Sequence, residues 1–137
     1  MADLVITAAQ VGAIFARDAE IINVIAAVAI TKGDAIALNT SGQAVLADAS
    51  TSAANGFRGI ALETVGANQA FSMLKRGGLE GFAVSSLNGD VQLFLSDTAG
   101  RLADAAGAVS VQVGRVFVLP DGNATKVVYL EADWTIE

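Results

Sequence analysis

The stretch "KRGGLEGFA", residues 75–83, runs two cations, Lys75 and Arg76, into Gly77, Gly78 and Gly81. These residue types can cradle a phosphate. The spacing, however, is neither G-x-x-x-x-G-K-[ST] nor G-x-G-x-x-G. No helix is expected after it whose N-terminus would receive an anion, since "FAVSSLNGD" reads as a strand and then a turn. The glycines therefore read as structural, a joint at which the backbone bends or packs closely. Asp34 and Asp90 each follow a glycine, and two carboxylates held about 5 to 10 Å apart would do acid–base work. The simpler reading is that each bonds turn amides, as do Asp48 and Asp104 in the two "LADA" segments. Ser85 and Ser86 lack S-x-x-K spacing to Lys75. Trp134, Tyr129 and Phe94 would suit a sugar-binding face, or else core and subunit contacts.

Two absences remove whole chemistries. The chain has no Cys and no His, which excludes thiol nucleophiles, disulfides, the usual zinc sites and the Ser-His-Asp relay. A hydrolase would have to rest on Lys32, Lys75 or Lys126, or on carboxylates, and no metal or cofactor is expected. The formal charge of −6 opposes a phosphate backbone, and the eight cations are scattered, so nucleic acid is not an expected partner.

At 137 residues the chain is one domain with a real core. It is 53% hydrophobic and only 16% charged, which points to apolar surface buried against other subunits. "IINVIAAVAIT", residues 21–31, lies between Glu20 and Lys32 and is too short for a membrane span, which needs about 20 residues. "MADLVITAAQ" carries an acid where a signal peptide needs a basic region, so no export signal is visible and synthesis and use in a cytoplasm are expected.

The elements that must position these residues are strands. Residues 35–38, 57–62, 70–75, 91–95, 111–119 and 125–131 are rich in Val, Ile, Leu and Phe, and each is bounded by turn residues. In "TKVVYLE" Val127 and Tyr129 share one face while Lys126, Val128 and Leu130 share the other. Asn39–Gly42, Leu87–Asp90 and Pro120–Asn123 carry turn chemistry. Residues 8–20 allow one or two amphipathic helical turns despite Gly12, and residues 50–55 allow one more.

The chain also matches itself at an offset of 56. "GDAIAL" at 33–38 falls on "GDVQLF" at 89–94, "LADA" at 46–49 on "LADA" at 102–105, and Gly66 on Gly122; Gly59 meets Gly114 one residue out of register. The expected fold is all-β and mainly antiparallel, a compact barrel or sandwich. It is built from two related β units, 33–77 and 89–133, inside a β domain spanning 33–137. Residues 1–32 form an N-terminal arm or leading strand outside the repeat. So apolar a segment must find a surface, and a neighbouring subunit is a natural one. The expected protein interface comprises Leu4, Val5, Ile6, Ile14, Phe15 and Arg17, with Arg76, Glu80 and Trp134.

In its order of "AITKGDAIALNTSGQAVLADAS", "FRGIALETVGANQ", "GDVQLFLSDTAGRLADAAG" and "VGRVFVLPDGNATKVVYLEAD", the chain resembles the small capsid decoration (cement) proteins of tailed bacteriophages. The resemblance covers roughly residues 26–133 and rests on turns and apolar positions. It implies a compact β-rich homotrimer without an active site, seated on the outer face of the virion where major capsid proteins meet. A β-rich phage fibre or receptor- and glycan-binding module is the alternative, favoured by an exposed aromatic platform. An enzyme with a lysine or carboxylate site is a third.

Overall fold

In the computed structural model, which describes residues 3–14, 19–50, 56–132 and 134, the apolar runs between turn residues become strands. They are β1 (Gly12–Ile14), β2 (Glu20–Ile25), β3 (Ala35–Leu38), β4 (Ala44–Leu46), β5 (Phe57–Ala61), β6 (Ala70–Glu80), β7 (Gln92–Leu95), β8 (Leu102–Ala103), β9 (Gln112–Val118) and β10 (Lys126–Glu131). All pair antiparallel in one sheet, curled into a half-barrel, along the path β4-β3-β5-β6-β10-β9-β7-β8, with β1 and β2 added on β6. The fold is all-β.

The turns hold by side-chain acceptors that mimic backbone. Asn39 Oδ1 accepts from the amides of Ser41 and Gln43, and Asp121 Oδ1 from those of Asn123 and Thr125. Helix is scarcer than the sequence suggests. Among the described residues of 8–20, Ala8–Gln10 form a single 3₁₀ turn and 12–14 a strand, and β2 starts at Glu20. The physical reason is partner supply: β6 offers an unfilled flank along its length, and pairing there outweighs the weak helical tendency of a segment broken by Gly12. The helical turn expected at 50–55 falls almost wholly outside the described residues.

The two halves repeat one pairing scheme. In the first, Ala35, Ile36 and Ala37 face Ile60, Gly59 and Phe57, skipping one residue after Gly59. In the second, Gln92, Leu93 and Phe94 face Arg115, Gly114 and Gln112, skipping one residue at the same place. Left-handed backbone recurs in step: Gly33 with Asp90, Gly42 with Gly100, Asn68 with Ala124. Gly59 and Gly114 are needed for close approach. A Cβ on either would run into the carbonyl oxygen of the neighbouring strand, Leu74 for Gly59 and Tyr129 for Gly114.

This corrects the spacing. The offset is 57 from Ile36 to Leu93 and 55 from Gly59 to Gly114, because loop lengths differ by single residues. The position equivalent to Asp90 is consequently Gly33, not Asp34.

A second correction concerns residues 75–83. They are neither a turn nor a crossover loop up to Glu80, but the second half of β6, the longest strand. Leu74 lies between Ile21 and Ile60, Arg76 between Glu20 and Glu131, and Leu79 between Ala13 and Val128. Local glycine content is overridden by four strand partners. The glycines still serve a purpose, since Gly77 has φ +136 and the inward face changes beside it. Phe71 and Met73 point to a small apolar cluster with Ala26, Ile30, Ile36, Ala44 and Ala61, whereas Leu74 and Leu79 both enter the large one. In a regular strand, 74 and 79 would face opposite ways.

The leading residues run through this body. Leu4 and Val11 are buried in the large cluster, Ala26 and Ile30 in the small one. Both ends of the sheet path meet this segment: Asp3 bridges Ala103 and the Leu4 amide bonds Leu102 O on β8, while Ala26 bridges Ala44 and the Ala27 amide bonds Ala44 O on β4. Edge strands invite foreign pairing, and both are closed in this way.

Candidate binding surfaces

Asp34 and Asp90, the two carboxylates that follow glycines, stand apart in different surroundings. Asp34 sits where the two halves touch: its Oδ2 accepts the Thr31 amide, its Oδ1 stands 3.7 Å from Arg101 Nη1, and the next amide, of Ala35, bonds Gly100 O. Burial pushes the Asp34 carboxyl above the ordinary carboxylate range, against the Thr31 amide and Arg101, which pull it down. Asp90 is exposed and 3.7 Å from Arg115 Nη1. Each of these carboxylates faces its own arginine. Asp48 accepts the amide and hydroxyl of Ser50. Among the described residues no group of three or more Asp or Glu side chains is placed to hold a metal ion.

The nine interface candidates have different environments. Leu4 is buried, Ile6 half-buried and bridged to Phe82, and Val5 is 69% exposed. Ile14 pairs with Gly78 at the end of β1. Phe15 and Arg17 lie outside the described residues. Arg76 and Glu80 are exposed on β6, Arg76 within 3.5 Å of Glu131. Trp134 is half-buried: its Nε1 donates to Arg58 O at 2.9 Å, and Lys75 and Arg58 lie 5.5 and 5.9 Å from its ring. Trp134, beyond β10, thus packs on β5 and β6. Leu4 and Val5 also line a pocket of about 230 Å³ with Ala83, Leu87, Asp3, Ser86 and Asp104; the Asp3 carboxylate in it accepts the Ser96 hydroxyl.

Two further surfaces stand out, of which the sequence pointed to Tyr129 alone. The first is the outer side of β2, where Ile21 and Ile25 are 49% and 48% exposed with Asn23 between them. Their partners on β6 are Leu74, Ser72 and Ala70, and Val28 is exposed nearby in sequence. The two-residue period of "EIINVI" was the available signal, obscured because the apolar run continues through both faces. The second is the outer face of β10, β9 and β7. Tyr129 pairs with Arg115 and Arg115 with Gln92, so the three form one cross-strand row, all exposed. Phe117 packs its ring 6.4 Å from Tyr129 at 54°. Phe94, expected with Tyr129 and Trp134 on one aromatic face, is half-buried beside Gln112, and Trp134 sits instead against Arg58 and Lys75.

No helix among the described residues is long and apolar enough to cross a membrane. With the fold and its surfaces laid out, no family model, curated protein or solved structure matches the chain.

Proposed function

We propose that the chain is a structural virion protein of the capsid decoration kind, binding the outside of an assembled phage head and bridging major capsid proteins, as a homotrimer. The observation that carries this reading is the outer side of β2, where Ile21 and Ile25 are exposed on a strand locked to the centre of the sheet, with Val28 exposed beyond the strand's end. Large apolar side chains held outward on a rigid strand mark a protein contact. The resemblance of its order of turns and apolar runs to decoration proteins suggests the kind of partner. Function then needs no chemistry: a protein that binds only the assembled lattice stabilises it by mass action, and three copies of the strip in a trimer add avidity.

The test is co-sedimentation of the purified protein with heads of the phage whose genome carries it, together with light scattering for oligomeric state. A trimer that pellets with mature heads, and raises the temperature at which they release DNA, is the expected outcome. Ile21→Asp/Ile25→Asp should abolish pelleting while the fold persists. A monomer without affinity for heads would sink the reading.

A further inference from the structure

The repeated pairing scheme provides an internal comparison for the second exposed surface. The row Tyr129–Arg115–Gln92 on β10, β9 and β7 corresponds, pair for pair, to Leu74–Ile60–Ala35 on β6, β5 and β3. In the first half all three residues are fully buried aliphatics facing the large cluster. In the second half the same face opens to solvent and carries a phenol, a guanidinium and an amide. A merely solvated face would need only polar residues, yet rings remain: Tyr129 is 36% and Phe117 41% exposed.

We propose that this outer face of β7, β9 and β10 binds carbohydrate. A pyranose presents a C–H face that stacks on an aromatic ring and an edge of hydroxyls that needs paired donors and acceptors, and both are side by side here. Tyr129 supplies the ring. Gln92 Nε2 donates to Gln112 Oε1 at 3.3 Å, a bond that leaves the Gln92 carbonyl as an acceptor and the Gln112 amide as a donor, the complement of two neighbouring hydroxyls. Arg115 is fixed between ring and amides by a 2.7 Å bond from Nη1 to Asp90 O, so its guanidinium is held in place in advance of binding. With strands about 4.8 Å apart, the row spans roughly 10 Å, enough for a short stretch of glycan laid across the strands. The flanking charges, Arg115 with Asp90 and Arg76 with Glu131, are balanced, which favours neutral hexoses over acidic sugars.

The inference stands independently of the capsid reading, whose strip lies on β2, across β6 from β10. The experiment is a titration of the ¹⁵N-labelled full chain with neutral hexose oligosaccharides (maltohexaose, cellohexaose, mannohexaose and a galactohexaose), followed by amide shifts and, in parallel, light scattering. Saturable shifts confined to β7, β9 and β10 are expected with at least one probe at millimolar concentration. Tyr129→Ala should weaken that binding about tenfold, the factor worth about 1.4 kcal/mol. Tyr129→Phe, which keeps the ring, should retain it. Gln112→Ala, on the adjacent strand, should weaken it with the spectrum otherwise unchanged, and so remains informative if Tyr129→Ala fails to fold. No saturable shift with any probe, or shifts centred elsewhere, overturns the proposal. So does a change of oligomeric state on Tyr129→Ala, which would make the face a subunit contact.

Discussion

Substituting alanine for Gly59 or Gly114 tests whether the two halves share one packing device. At Gly59 an added Cβ would stand 2.6 Å from Leu74 O and 3.3 Å from the Met73 sulfur, where ordinary contact begins at 3.4 Å. The deficit to the backbone oxygen is thus 0.8 Å. Because it lies on backbone, no rotamer change relieves it, and β5 must move away from β6. Overpacking of this kind costs about 1–3 kcal/mol, offset by the ~0.4–1 kcal/mol that Gly→Ala gains from a less flexible unfolded chain. A net loss of roughly 1–2 kcal/mol is expected for Gly59→Ala. Gly114→Ala should lose more, because its Cβ would come closer still to Tyr129 O. Gly122→Ala is the control: nothing lies within 4 Å of its added Cβ, so it should be neutral or slightly stabilising. Urea unfolding followed by tryptophan fluorescence reads the midpoints. With a slope of about 2 kcal/mol/M, Gly59→Ala should shift the midpoint by about 0.5–1 M. If Gly59→Ala and Gly114→Ala unfold with the control, close strand approach at the repeated glycine is refuted.

Three further outcomes are expected. Asp34 has a folded pKa above its unfolded one, so the folded state holds the proton more tightly and the group's penalty is relieved as pH falls through the raised value towards ~4. Asp34→Asn does not titrate, so the wild type should gain thermal stability relative to it over that window; a constant difference would contradict the burial argument. Asp121, held below the ordinary range first by Thr125, works in the opposite sense, its contribution fading as pH falls, and Asp121→Asn should flatten that decline in thermal melts. Removing residues 1–11 takes Leu4 and Val11 from the core, roughly 3–6 kcal/mol at 1.5–3 for each side chain, and opens the β8 edge. The truncated chain should melt earlier and self-associate on size exclusion; unchanged stability would show that the segment is dispensable to the fold.

The strands of the two halves were legible because each is a short apolar run between Gly, Asn or Asp; in "TKVVYLE" burial alternates from Val128 to Glu131, with Val128 and Leu130 inside and Tyr129 outside, while Val127 on Tyr129's face is buried as well. The matching pairing scheme was legible only approximately, since single-residue differences in loop length spread the offset between corresponding positions over several values, and a single offset of 56 sets Asp34 on Asp90. The placement of 75–83 was hidden for a different reason. Whether a glycine-rich stretch turns or extends depends on which partners flank it, and those of β6 come from four separate parts of the chain. The leading segment misled similarly, because "IINVIAAVAI" buries Ala26 and Ile30 yet exposes Ile21 and Ile25, and no period marks where one role passes to the other. Of the binding surfaces, Tyr129 was visible as a residue type. Its row with Arg115 and Gln92 was not, because antiparallel pairing rather than sequence spacing brings the three together.

The closure of both sheet edges by residues 3–27 bears on how the protein is made. Residues 3–27 are synthesised well before the strands they pair with, since Asp3 and Leu4 wait for β8, and β1 and β2 for β6. Until then an apolar leader and unpaired strand edges are exposed together, in a topology of distant contacts that folds slowly. Completion of the second half is therefore the event that seals the molecule, and a nascent chain halted before β8 is the species expected to depend most on a chaperone.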